Sequence, residues 1–338
     1  MRRRNPIHCC LILGLASAVT CRTADDIGPF ADPLPDVRPL LLVVNKSEST
    51  LSIIDPATRT ELRRVPTGSM PHEVAASPDG RTAYVTDYGS GPSPGNTLTV
   101  VDLEAGRATR TISLGSHTRP HGIAWEATES RLWVTTEGSA HIVAIDPQTA
   151  SIDRVIRTDQ EITHMVAAVP ARRLLVTTNI GSNNATVVDA LADRVVAHVP
   201  TGAGAEGVDV APDGRYAYVT NRADGTLTEF DVISQQVTRT LNVGLFPIRV
   251  KVRPSGGEAL VTNASGNEVV AVDLATWTVV RRLATGAVPV GLLITPDDRT
   301  AYVASTLNDR IDVIDIAEWR IIGTLTVGNE PDGLAWVQ

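Results

Sequence analysis

The sequence predicts an all-β fold, a seven-bladed β-propeller with four-stranded antiparallel blades. Three observations carry this expectation. From Leu40 onward one unit recurs, marked by an aspartate that ends an apolar strand at Asp55, Asp102, Asp146, Asp189, Asp231, Asp273 and Asp315, with spacings of 47, 44, 43, 42, 42 and 42 residues. Each unit divides into four strand-length runs with turn chemistry between them, and no helix-length 3.6-residue periodicity appears. The two ends of the repeat region complement each other. It opens at Leu40 with second-strand sequence (LLLVVN) and closes at Pro331–Val337 (PDGLAWV) with a first strand that has no second. Pairing these ends makes one blade, closes the ring and removes the exposed edges of an open array.

Taken in chain order, the first 21 residues read as an export signal. Arg2, Arg3 and Arg4 form a basic start, and Cys9 to Thr20 is an apolar run too short to span a bilayer. Ala16-Ser17-Ala18 suits ordinary signal peptidase, while Ala18-Val19-Thr20-Cys21 resembles a bacterial lipobox that would leave Cys21 lipidated; both readings stay open. Residues 22–39 carry four prolines and four aspartates without apolar periodicity, and read as a solvated tether. The propeller follows over 40–338. Its unit is clearest at 205–244. Glu206 to Val210 is the first strand, Pro212-Asp213-Gly214 a tight turn, and Tyr216 to Thr220 the second strand. Thr226 to Phe230 is the third, Asp231 caps the next turn, and Val237 to Val243 is the fourth. A glycine near the unit's end recurs at Gly68, Gly115, Gly202, Gly244, Gly286 and Gly328.

Composition excludes several classes. A net charge of −8 with scattered arginines gives no electrostatic footprint for nucleic acid. Membrane contact is expected only on the lipobox reading, through a lipid on Cys21. Cys9 and Cys10 leave with the signal, so the mature chain keeps at most Cys21 and no internal disulfide. There is no P-loop, dinucleotide fingerprint, haem motif, nucleophile elbow or zinc-protease helix.

The tetrads Tyr84-Val85-Thr86-Asp87 and Tyr218-Val219-Thr220-Asn221, the Ser77-Pro78-Asp79-Gly80 turn and the Val-Gly-x-x-Pro link between blades resemble the YVTN β-propeller repeat family. The resemblance covers all seven repeats. It implies the propeller and an extracytoplasmic setting, periplasmic or at the cell surface. It does not choose an activity, because related propellers include binding proteins, lyases and subunits of redox enzymes.

Function is expected where the repeats differ. Aligning the entry of each first strand gives His72, His121, His164, Glu206, Ile248, Val290 and Asp332. Three consecutive blades present histidine and the fourth glutamate, at the mouth of the central channel. Only six histidines remain after the signal, so three in one repeat column is a concentrated signal. Neutral imidazole is the commonest metal ligand, and His72, His121, His164 and Glu206 suit one divalent transition metal with an open position for water or substrate. Two plainer readings stand beside this: a metal-free polar mouth that binds a ligand, and a wet channel mouth that is structural. Asp332, Arg119 and Arg249 flank the mouth as candidate ligand-binding residues.

The remaining features favour structural readings. The insertion Tyr88 to Gly95 and the loop Ile180 to Asn184 lie on the mouth face and read as tolerated surface loops. The seven strand-ending aspartates read as turn caps and the five tryptophans as inter-blade packing. The leading functional expectation is an extracytoplasmic binding or scaffold propeller that recognises a protein, peptide or polysaccharide at its mouth. A metal-dependent lyase or hydrolase using the histidine arc is the alternative, and an accessory subunit of a periplasmic redox system is a third.

Overall fold

The computed structural model describes residues 33–338, so the expected export segment and Cys21 lie outside the described residues. Among the described residues the chain forms twenty-eight strands, β1 to β28 in chain order, and one 3-10 turn at Thr306–Asn308. They assemble into seven four-stranded antiparallel sheets. Blade 1 joins β28 (Pro331–Val337) to β1 (Leu40–Asn45), β2 (Thr50–Asp55) and β3 (Thr60–Pro66). Blades 2 to 7 each take four consecutive strands. Their innermost strands are β4 (Pro71–Ala76), β8 (Pro120–Glu126), β12 (Thr163–Ala168), β16 (Ala205–Val210), β20 (Pro247–Val252) and β24 (Pro289–Ile294). Blade 1 closes the ring with Leu40 opposite Val337 and Val43 opposite Leu334. Innermost strands touch their neighbours all the way round, β24 against β28 and β28 against β4 included. The seven blades and the closure expected from the sequence are observed. No helix among the described residues is long and apolar enough to cross a membrane.

The strand sequences follow from where each strand sits. The two central strands of a blade are covered on both faces by the neighbouring blades, so β1 (LLLVVN) is buried at every residue. The outermost strand meets solvent, and in blade 6 it alternates exposed and half-buried residues over Thr278–Ala284. Seven inter-blade apolar clusters replace one central core, as at Val85, Val101, Leu42 and Ile53 between blades 1 and 2. The strand-ending aspartates cap turns in all seven blades. Asp231 Oδ1 accepts the Ile233 and Ser234 amides at 2.9 Å each, and Asp315 Oδ1 accepts Glu318 N–H at 2.9 Å. Leu34, within the expected tether, is buried against blades 1 and 2, and its amide donates to Glu104 O at 2.9 Å.

The threonine of the Tyr-Val-Thr-Asn tetrad works between blades. Each innermost strand shifts register after its first residue, as between Ala205 and Val208. That irregularity leaves an amide without a ladder partner, and a second-strand threonine accepts it. Gly207 N–H donates to Thr220 Oγ1 at 2.8 Å, and the same hydroxyl donates to Ile248 O of the next blade at 3.1 Å. Thr86, Thr135, Thr178 and Thr262 repeat the arrangement. The carbonyls they hold belong to the residues at the channel mouth.

Candidate functional site

Two structural devices repeat around the mouth. The residue just before each innermost strand has positive φ: Met70, Arg119, Ile162, Gly204, Phe246, Val288 and Glu330, at 48° to 72°. For Val288 and Ile162 that conformation is strained. Its carbonyl accepts the amide of the residue that follows the second strand, giving the pairs Glu330–Lys46, Met70–Tyr88, Arg119–Glu137, Ile162–Ile180, Gly204–Arg222, Phe246–Ala264 and Val288–Thr306. The register irregularity then directs the second residue of the innermost strand into the channel. Two rings of side chains therefore meet at one opening.

They enclose a cavity of about 410 Å³. All seven residues of the aligned column, His72, His121, His164, Glu206, Ile248, Val290 and Asp332, line it. Arg249 also lines it, while Arg119 does not. Arg119 lies 5.1 Å over the Tyr88 ring and donates to Gly91 O at 3.0 Å, which ties down the 88–95 insertion. Lys46, Tyr88, Glu137 and Arg222 complete the polar wall. The first-strand column cannot reveal these four. They form a second column, the position immediately after each Tyr-Val-Thr-Asn-like tetrad, which aligns equally well in the sequence.

The three histidines stack along one arc. Ring centroids are 4.5 Å apart for His72 and His121 and 3.8 Å for His121 and His164. His121, Glu137 and His164 bring one ligand atom each to within 4.8 Å of one another, a group that could hold a metal ion. His72 and Glu206 stand beside that group rather than in it. His72 Nδ1 is 3.0 Å from Asp332 Oδ2. Glu206 is held between His164, with Nε2 to Oε1 at 3.1 Å, and Arg222, at 2.8 Å.

A chain of polar contacts crosses four blades. Tyr88 donates its hydroxyl to Glu137 Oε2 at 2.6 Å, Glu137 Oε1 meets His164 Nδ1 at 2.5 Å, and His164 Nε2 meets Glu206. Burial opposes charge on His164, but Glu206 and Glu137 outweigh it and hold its pKa up at about 9. His164 is an imidazolium clamped by two carboxylates. Those carboxylates are held below the usual range although burial raises them, Glu137 by His164 and Tyr88, Glu206 by His164 and Arg222. Burial, then His164 and His72, push His121 well below the ordinary imidazole value. His121 is therefore neutral, and its Nδ1 is buried without a partner. Burial pushes Tyr88 up to about 12, reinforced by Glu137, so the phenol stays a donor.

The floor is built one residue deeper. Arg249 of blade 6 reaches across to Glu73 of blade 2, and its Nη2 lies 3.9 Å from Asp332 Oδ1. Burial opposes the Arg249 charge, but Glu73, Asp332 and Glu206 hold the guanidinium protonated. Both partners are buried beneath the mouth. Asp332 stays ionised, near 2, because His72, Lys46 and Arg249 outweigh its burial.

Among curated protein sequences, none matches the chain. Among solved structures, hydrazine synthase from Kuenenia stuttgartiensis contains a chain similar in fold, with a TM-score of 0.72 at 21% identity over 82% of this chain and 92% of that one. A family model for the YNCE-like beta-propeller matches residues 2–115, 140–255 and 251–332, in keeping with the YVTN-type repeats. With its seven closed blades and a match over most of its length, the chain belongs to the YNCE-like β-propeller family.

Proposed function

We propose that this chain is an extracytoplasmic binding propeller that takes its ligand or partner at the mouth cavity, on one divalent transition metal held by His121, Glu137 and His164. The observation that supports it is the convergence of these three groups within 4.8 Å, one of them the neutral His121, whose buried Nδ1 has no partner. Two imidazoles and a carboxylate suit zinc or its neighbours and leave a position for a ligand atom. In the metal-free state the proton shared by Glu137 and His164 fills that role, and it must leave for an ion to enter. Tyr88 and Glu206 orient Glu137 and His164 from outside, as partners of metal ligands commonly do. Ile248 and Val290 give the opposite wall an apolar surface for the rest of the ligand.

A second reading, a metal-dependent lyase or hydrolase, draws on the His72–Asp332 pair at 3.0 Å. Asp332 fixes the His72 ring and leaves its other nitrogen to move a proton in the cavity. The metal when bound would polarise a substrate oxygen. The third reading, an accessory place in a redox assembly, rests only on the fold likeness to the hydrazine synthase chain.

Elemental analysis and thermal melting with and without chelator test the proposal on wild type, His121→Ala, Glu137→Gln and His198→Ala. One zinc, copper or nickel per chain is expected in wild type and His198→Ala, with a chelator-sensitive melting temperature in both. Metal at about 100 times its dissociation constant adds about 2.7 kcal/mol of stability. His121→Ala and Glu137→Gln lose the metal and the chelator shift. A wild type that takes up no metal from a zinc-containing buffer, and melts identically with chelator, refutes it.

A further inference from the structure

The face opposite the mouth carries a feature that the mouth reading does not use. Two of the seven inter-blade seams hold matching pockets, about 570 Å³ between blades 2 and 3 and about 550 Å³ between blades 7 and 1. They are built from the same side chains at corresponding repeat positions. Ser77, Asp79, Thr82, Tyr84 and Trp125 in one match Thr295, Asp297, Thr300, Tyr302 and Trp336 in the other. A proline, Pro147 or Pro56, walls each from the neighbouring blade. The aromatic pairs have nearly the same geometry, with ring centroids 6.3 Å apart at 37° and 6.1 Å apart at 29°. The hydroxyl–carboxylate pair matches as well. Ser77 donates to Asp79 Oδ1 at 2.5 Å and Thr295 to Asp297 Oδ1 at 2.6 Å.

The frame of the fold does not require this set. At the sixth residue of the innermost strand the other five seams carry Ala76, Ala168, Val210, Val252 and Ile294. No other blade combines a hydroxyl residue, a proline and an aspartate in its first turn. Sevenfold repetition explains features shared by all blades, so a combination confined to two points to a shared ligand.

We propose that these twin pockets bind pyranose units of one repeating polysaccharide, a site and ligand beyond the mouth cavity. One face of a pyranose is a patch of C–H groups, which suits the half-buried Trp125 and Trp336 rings. Its hydroxyls suit the second oxygens of Asp79 and Asp297, on exposed turns, and a guanidinium at the edge of each pocket, Arg131 or Arg38. Two like pockets on one face suit a ligand that repeats, because a polymer engaging both gains effective concentration without new contacts.

Isothermal titration calorimetry of the mature chain with cellotetraose, maltotetraose and mannotetraose, each also offered as its soluble polymer, tests this. At least one sugar series is expected to bind with two equivalent sites per chain. Trp125→Ala and Trp336→Ala each leave one site and lower the polymer affinity tenfold or more, and the double variant abolishes binding. Asp79→Asn and Asp297→Asn keep the turn oxygen that Ser77 and Thr295 use. They are expected to weaken binding severalfold with unchanged melting temperature, which keeps the test informative should a tryptophan variant fold poorly. No saturable binding of any of these sugars overturns the proposal. So does binding that survives in a folded double variant, or binding of decaproline at these pockets in place of the sugars.

Discussion

Asp87 offers a measurement of how the blade frame handles charge. It lies near the end of the second strand of blade 2 (Thr82–Gly89), is 2% exposed, and sits where blades 1, 4, 5 and 6 carry Asn45, Asn179, Asn221 and Asn263. Burial pushes its pKa from 3.8 up to about 6, against the pull of Thr97, Thr99 and the Gly68 amide. The folded value lies above the unfolded one, so folding favours the protonated form. That contribution is complete below about pH 4 and is lost as pH rises through about 6. A shift of about two units corresponds to at most about 3 kcal/mol at neutral pH. Asp87→Asn removes this penalty without losing bonds, as Asn45 shows. Asn45 Oδ1 accepts the Gly328 amide at 3.0 Å, and its Nδ2 donates to Thr50 and Ser52 at 3.0 and 2.8 Å. The Gly68 amide and the Thr97 and Thr99 hydroxyls offer the same contacts to an asparagine at 87. In chelator-containing buffer the variant should melt roughly 3 °C above wild type at pH 8, for a gain of about 2 kcal/mol, and within about 1 °C of it at pH 4.5. A gap that does not change between those pH values, or a variant less stable at pH 8, would refute the assignment.

Thr220→Val should cost about 1–3 kcal/mol, because Gly207 N–H and Ile248 O both lose their partner; equilibrium denaturation showing less than about 0.5 kcal/mol would count against the inter-blade role. Deleting Pro331–Gln338 removes β28 and reopens the ring, so its melting transition should fall sharply and broaden; an unchanged transition would contradict the closure. Cys21→Ser should move the protein from the membrane fraction to the soluble one, and a wild type already soluble with its N-terminus at Val19 would discard the lipid anchor.

The blades are legible in the sequence because their punctuation is local. An aspartate that bonds amides two and three residues on, as Asp231 does, needs no tertiary context. The histidine column is legible for a related reason: equal spacing in a repeat means equal position on the ring, and all seven column residues line one cavity. What a column hides is the partner. Glu137 belongs to a different column from His164, and the Arg119–Glu137 backbone bond at the neighbouring entry turn ties it to the mouth. Glu206 looks like a fourth ligand in sequence, yet Arg222 and His164 occupy its carboxylate. Arg249 reads as a rim residue, and its partner Glu73 is 176 positions away across the ring.

The third residue of the innermost strand shows how the frame limits what a site can contain. Around the ring it is Gly333, Glu73, Gly122, Met165, Gly207, Arg249 and Gly291, so glycine stands in blades 1, 3, 5 and 7. Each glycine faces the next blade's strand. A Cβ on Gly122 would lie 2.6 Å from His164 O, and one on Gly333 would lie 2.5 Å from His72 O. At this depth the inner wall has room for a side chain only on alternate strands. Seven is odd, so alternation must fail once, and it fails where Gly291 and Gly333 meet beside the closing blade. The three places left for side chains hold Glu73, Met165 and Arg249. Two of these, Glu73 and Arg249, pair across the channel, although burial pushes the Glu73 carboxyl above its usual range. Gly122 therefore follows from packing, and the chemical identity of the site lies with His121 and the second-column residues above it.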